Sequence, residues 1–230
     1  MKKITIALVM FISAMSFAQG NAELKAHYEA YYKQMKNQGD VQGVINAMTH
    51  LDILTPSQAR RDTLAYFYVS EGKYVQALNT IGIEKNASAS DLNVEVKAIS
   101  FKNLNDIKRA LEQYNVLFDR SPNPSLAYEI ADLMMQNNED AGAKAKIEYG
   151  LKNVTDDMKR AFYETQRPYE TSLKAALIYL KALNLFKENQ ATNLDAALKL
   201  VNDALAIDPN FNMAKRTREA LETKKAQPKN

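Results

Sequence analysis

The sequence predicts an all-α fold, a solenoid of stacked antiparallel helix pairs, on three observations. Side-chain size returns every 33 residues, four times between Lys25 and Asp156. Only seven Gly and six Pro are present, and the prolines fall between the apolar-periodic segments rather than within them. No cysteine is present, so helix packing must hold the chain without disulfides. A period of this length marks two-helix units. Such a unit cannot bury its own apolar face and has to be roofed by the next one. The function this implies is binding along a surface.

Residues 1–18 are read first, because they do not belong to that fold. Lys2 and Lys3 precede an apolar run from Ile4 to about Met15, and small residues at Ser16 and Ala18 fit a cleavage site before Gln19. The run is shorter than the ~20 residues that comfortably span a bilayer. No cysteine follows it to carry an acyl anchor. The expectation is a cleaved signal peptide, no integral membrane span afterwards, and a periplasmic or secreted mature chain.

Elsewhere the composition, 46% hydrophobic and 25% charged, is close to average soluble usage and excludes both a disordered chain and a polytopic membrane protein. The 30 Lys and Arg against 27 Asp and Glu become nearly balanced once Lys2 and Lys3 are set aside. Nucleic-acid binders show a concentrated basic face. The only local excess here is the run from Lys215 to Lys229, which reads as a solvated helix end.

The repeat places Tyr32, Ala65, Ala98 and Ala131 in one register, and Met35, Tyr68, Phe101 and Met134 in a second. Gly39, Gly72, Asn105 and Asn138 share a third, Val44, Ala77, Ala110 and Ala143 a fourth, and Met48, Ile81, Tyr114 and Ile147 a fifth. Helix pairs follow at 22–37 with 41–54, 58–70 with 74–83, 91–103 with 107–119, and 125–136 with 141–152. Thr55-Pro56-Ser57-Gln58 supplies a hydroxyl cap, a first-turn proline and a Gln three residues on; Ser88 with Asp91 makes a second such box. Helices of this length are marginal alone, so the recurring alanines, which let backbones approach, carry the stability argument. Downstream the strict step fails. A short extra helix is expected over 155–165, Asp156-Asp157 being negative charge suited to its N-terminus. A long helix over 169–187 follows Pro168, and a further one begins at Leu194.

Leu64-Ala65, Tyr68, Gly72, Tyr74, Ala77 and Ile81, then Ala98, Phe101, Asn105, Ile107, Ala110, Tyr114, Leu117 and Pro122, resemble the tetratricopeptide repeat (TPR). Unit one adds Met35, Gly39, Val41, Val44, Met48, Leu51 and Pro56. Unit four keeps Ile130, Ala131, Met134, Ala143 and Ile147 but has Asp140 where an apolar residue is usual and Gly150 where Ala is usual. Ala197, Val201, Ala204 and Pro209 recover the spacing. The resemblance implies a right-handed superhelical solenoid over 19–226. Its repeats lie near 25–57, 58–90, 91–123 and 124–156, with a stretched repeat at 169–210, a capping helix at 211–226, and a disordered tail at 227–230.

It also implies that the first helix of each pair lines a concave groove. Lys33, Lys36 and Asn37, with Glu29, face it from unit one. Tyr66, Ser70, Asp62 and Val69 follow from unit two, Ile99, Lys102, Asn103 and Glu95 from unit three, and Tyr128, Asp132, Met135 and Gln136 from unit four. Tyr66, Ile99, Tyr128 and Met135 suit apolar anchors of a peptide, and Lys33, Lys36 and Lys102 suit carboxylates. Members that clamp a C-terminal carboxylate use Lys and Asn where this chain has Glu29, Lys33, Asp62 and Tyr66, so that activity does not carry over.

The inventory argues against an enzyme. There is no thiol, only His27 and His50, and no HExxH, GxSxG or GxxxxGK[ST] string. No cofactor or metal is called for. The expected function is a non-enzymatic envelope scaffold binding a protein or peptide segment. The alternative is a saccharide or small ligand in an aromatic pocket around Tyr163, Tyr169, Glu170 and Tyr179. Self-association through an uncapped end is a further route.

Overall fold

The computed structural model describes residues 2–86 and 88–227, with side chains described from Gly20 onward. The expected signal peptide and the last three residues of the expected tail fall outside the described side chains. Among the described residues are eleven helices and one two-stranded sheet. No described helix is long and apolar enough to cross a membrane. The fold is an all-α, TPR-like solenoid of adjacent helix pairs. The chain divides into two compact units, Met1–Leu104 and Asn105–Asn230.

The first unit holds α1 (Lys2–Gln38), α2 (Val41–Leu54), α3 (Gln58–Ser70), α4 (Tyr74–Ile81) and α5 (Asp91–Asn103). Asp40 starts α2, its carboxylate accepting from the Gly43 amide at 2.9 Å. The start of α5 lies at Ser90, whose hydroxyl accepts from the Asn93 amide at 3.1 Å. The Ser88 box is therefore corrected: the Ser88 hydroxyl donates to Asn86 instead, within the 82–90 connection. Ser57 makes no side-chain cap on α3, and its amide donates to Asp52 at 2.9 Å. Thr55 instead closes α2, its hydroxyl donating to the Leu51 carbonyl.

Met35, Val44, Ile45, Met48 and Leu64 form one core cluster, and Ala65, Ala77 and Val96 another. The buried alanines let α3, α4 and α5 approach while Tyr68 and Ile81 fill the edges. Both helix pairs turn on a glycine in the left-handed region, Gly39 at φ 71° and Gly72 at φ 69°. One and two repeats further on, Asn105 and Asn138 adopt φ 61° and 60°. Asparagine is the side chain that tolerates this conformation best, so one turn geometry explains the alternation of Gly and Asn in the register.

The second unit holds α6 (Ile107–Arg120), α7 (Pro124–Gln136), α8 (Asp140–Asn153), β1 (Lys159–Phe162), β2 (Tyr169–Ser172), α9 (Leu173–Glu188), α10 (Leu194–Ile207) and α11 (Asn212–Ala226). Asp106 caps α6 and Asn123 caps α7, with Pro124 in the first turn where its missing N–H costs nothing.

The helix expected over 155–165 is not formed. In its place β1 and β2 pair antiparallel, with Phe162 opposite Tyr169 and Lys159 opposite Ser172. Alternate residues point to opposite faces of a strand, so Phe162 and Thr171 can be buried while Lys159 and Glu170 stay in water. Asp156-Asp157 therefore opens no helix. Asp157 accepts from the Thr155 hydroxyl, and Asp156 lies 3.4 Å from Lys174. The long helix likewise begins at Leu173 rather than 169, capped by Ser172.

Gly150 departs from the family's usual alanine for a steric reason. A Cβ there would lie 2.7 Å from the buried Leu177 of α9.

Candidate functional site

In the first unit, Lys33, Lys36 and Asn37 are exposed on α1, and Ser70 is exposed on α3. Tyr66 of α3 is 47% exposed, an uncommon state for so large a ring, and Ile99 is half-buried on α5. The two occupy one repeat position on helices that pack side by side. Asn103 is exposed at the end of α5, its amide donating to the Ile99 carbonyl at 2.8 Å, and Lys102 is half-buried beside it. The Ser70 hydroxyl folds back to the Phe67 carbonyl.

The expected set from α7 is placed differently. Tyr128, predicted as an open anchor, is only 3% exposed. The hairpin covers it: the Arg160 guanidinium lies 4.0 Å from its ring centroid, and Phe162 meets it edge-on at 6.5 Å. Arg160 also pairs with Glu129. Burial alone would lower the Arg160 pKa, but Glu129 and Tyr128 outweigh it and hold the guanidinium charged. Burial pushes the Tyr128 phenol well above its ordinary value. Asp132 is half-buried and accepts from Gln136 at 3.1 Å, and the Met135 carbonyl accepts from Lys187 at 2.7 Å.

The aromatic pocket expected near the C-terminus does not assemble. Tyr179 is buried, its ring against Phe211 at 5.0 Å and its hydroxyl 3.0 Å from that of Thr217. Tyr163 is exposed at the hairpin loop, and Tyr169 stacks on Phe162 instead. His27 and His50 are both held by Tyr28, which stacks on His50 at 4.2 Å and meets His27 edge-on.

One feature of the first unit escaped the sequence reading. Between α3 and α5 lies a cavity of about 520 Å³ lined by Gln58, Asp62, Glu84, Ser90, Asn93 and Lys97, among others. Asp62, placed on the groove by sequence, is buried here. It accepts from Gln58 at 2.8 Å, from Asn93 at 2.7 Å and from Ser90 at 2.6 Å. Burial works against its charge, yet these three donors prevail and hold its pKa below the usual carboxylate value. Lys97 is buried as well, donating to the Glu84 carbonyl at 2.7 Å, and burial lowers its pKa against the pull of Asp62 and Glu84. The signal was available: Lys97 interrupts a register that holds Tyr31, Leu64 and Ile130.

Comparison with known proteins bears on the fold. YrrB, described as a TPR protein with an unusual peptide-binding site, superposes with a TM-score of 0.64 at 12% identity, covering 89% of this chain and 97% of its own. MamA follows at 0.59 and 12%, covering 82% and 93%. A chain of the Cut9–Hcn1 hetero-tetramer of APC/C matches at 0.52 and 12%, covering 89% of this chain and 40% of its own. No family model matches the sequence, and no curated protein matches it. The chain has the tetratricopeptide-repeat fold.

Proposed function

We propose that this protein is a non-enzymatic scaffold of the cell envelope that binds a protein or peptide segment along the first helices of its repeats. The observation that supports the reading is that exposed Tyr66 and half-buried Ile99 stand one repeat apart on the packed helices α3 and α5, while Lys33 and Lys36 are exposed on the first helix of the preceding repeat. An amphipathic strip of this kind suits a segment with apolar anchors and acidic flanks. That YrrB has a peptide-binding site on a similar fold supports the class of function. The envelope location rests on the signal-like residues 1–18, and the balanced charge argues against a nucleic-acid partner.

The α1, α3 and α5 face is favoured over α7, whose Tyr128 is already occupied by Arg160. Panning an array of random decapeptides tests the reading. It predicts selected peptides with an aromatic or aliphatic anchor beside acidic residues, and loss of their binding in Tyr66→Ala. Selected peptides that bind the Tyr66→Ala protein unchanged would overturn it. Cleavage between Ala18 and Gln19, read by mass spectrometry of the exported chain, tests the location.

A further inference from the structure

The second unit leaves a cleft between α9 and α11. The first helices α7 and α9 pack side by side, but α9 and α11 each pack along α10 and not along each other. Two side-chain contacts bridge them: the Tyr179 hydroxyl lies 3.0 Å from that of Thr217, and the Lys224 ammonium lies 5.3 Å from the centre of the Phe186 ring. These contacts are seven residues apart on both helices, about 10 Å along the axis. Between them Ala182 and Ala220 supply only methyl groups, and a cavity of about 280 Å³ remains. Buried Ala182, Val201 and Leu221 lie at its base, and the half-buried Leu183 and Phe186 extend the apolar lining.

One charged side chain belongs to that lining. Arg216 is exposed on α11 beside Thr217, and it makes no ion pair or hydrogen bond with any described residue. No carboxylate lines the cleft. Glu219, on the next turn of α11, is outside the lining and does not pair with Arg216. Asp132 and Glu164, whose charges reach Tyr179 at one end, are outside it as well and are engaged by Gln136 and by the Tyr169 hydroxyl. At the other end Lys224 is held by Gln190 at 2.7 Å. Thr217 already shares its hydroxyl with Tyr179, which leaves the Arg216 guanidinium as the free donor at the rim.

We propose that this cleft binds a small monocarboxylate with an aliphatic or aryl-alkyl body. The body fills the apolar space between the two bridging contacts, and the carboxylate accepts a two-pronged pair of hydrogen bonds from Arg216. One unpaired guanidinium balances one negative charge, so a monoanion is the complement. A cation would meet Arg216 and Lys224 with no carboxylate in the lining to offset them. The volume is just below the ~300–1,000 Å³ of ordinary small-molecule sites. A partner helix, about 10 Å across with its side chains, does not enter it. The site belongs to the second unit and is independent of the strip on α1, α3 and α5.

Titration of the methyl-labelled full chain tests the site, with the Leu183 and Val201 methyl groups as the NMR readout. The probes are 4-phenylbutyrate, its uncharged analogue 4-phenylbutanamide and the cationic 4-phenylbutylamine. The acid is expected to saturate on the order of 1 mM, as suits a ligand of about a dozen non-hydrogen atoms. The amide should bind at least about tenfold more weakly, having lost hydrogen bonds between two charged groups, and the amine no more tightly than the amide. Arg216→Gln should bring the acid down to the affinity of the amide. Ala220→Leu fills the cleft and should abolish the shifts for all three probes. Both substitutions are at exposed positions, so both variants should melt close to the wild-type temperature. Absence of saturation by the acid, equal binding of acid and amide by the wild type, or unchanged affinity for the acid in either variant would each overturn the proposal.

Discussion

The guanidinium of Arg160 lies over the ring of Tyr128, 4.0 Å from its centroid, and pairs with Glu129 on the next residue of the same helix. One side chain thus fastens the β1–β2 hairpin onto α7 through a ring and a carboxylate at once.

Truncating that clamp should be expensive. Arg160→Ala leaves Glu129 without its guanidinium and uncovers Tyr128. The expected loss is about 2–4 kcal/mol in urea denaturation, with a weakened near-ultraviolet tyrosine signal. Arg160→Lys should recover only part, because an ammonium cannot lie flat on the ring while also serving the carboxylate. A loss below about 0.5 kcal/mol for Arg160→Ala, the size of an ordinary surface change, would show that the hairpin docks by Phe162 alone.

Acid should destabilise the first unit through Asp62. Its folded pKa lies below the ordinary value of 3.8, so the stability it contributes is fully present above that value and disappears as pH falls through the folded one. Urea midpoints measured from pH 6 to 2 should therefore fall more steeply in the wild type than in Asp62→Asn, with the difference confined to the region below pH 4. Parallel curves would remove Asp62 from the acid response.

Close packing at the repeated alanines makes a plain contrast. Ala110 is fully buried on α6, and Ala110→Leu should overpack its neighbours and cost about 1–3 kcal/mol. Lys108→Gln, exposed on the same helix, should be nearly silent. Equal shifts in Tm for the two would sink the packing assignment.

Gly150→Ala presses the same argument from the other side. The added Cβ would meet Leu177 at 2.7 Å. Although alanine is the better helix former by about 1 kcal/mol, the variant should melt below the wild type. A higher Tm would show that Leu177 moves aside freely.

The helices were legible in the sequence because their signals are local and repeated. The bounds of α2, α3 and α5 follow from an apolar register that recurs with the period, helped by Gly39 before α2, Pro56 before α3 and the turn residues Gly72 and Asn105 after α3 and α5. The hairpin was not legible. Its strands are four residues each, too short to display alternation, and an acidic pair after Thr155 imitates a helix start. Tyr128 was misplaced for the same reason, since what covers it comes from the unread hairpin. The polar cavity lay between these cases. Lys97 breaks a register of large apolar residues, but only the fold shows that Asp62 and Asn93, 31 positions apart, converge on the same space.

The hairpin also bears on how the chain responds to cutting. Its loop presents the exposed Tyr163 between two strands whose ends, Phe162 and Tyr169, stack on each other, and Phe162 also lies against Phe211 of the C-terminal region. A single chymotryptic nick after Tyr163 would therefore produce two fragments that denaturing gels separate but gel filtration does not. The Arg167–Pro168 bond a few residues on resists trypsin, so the same loop would answer one protease and ignore the other.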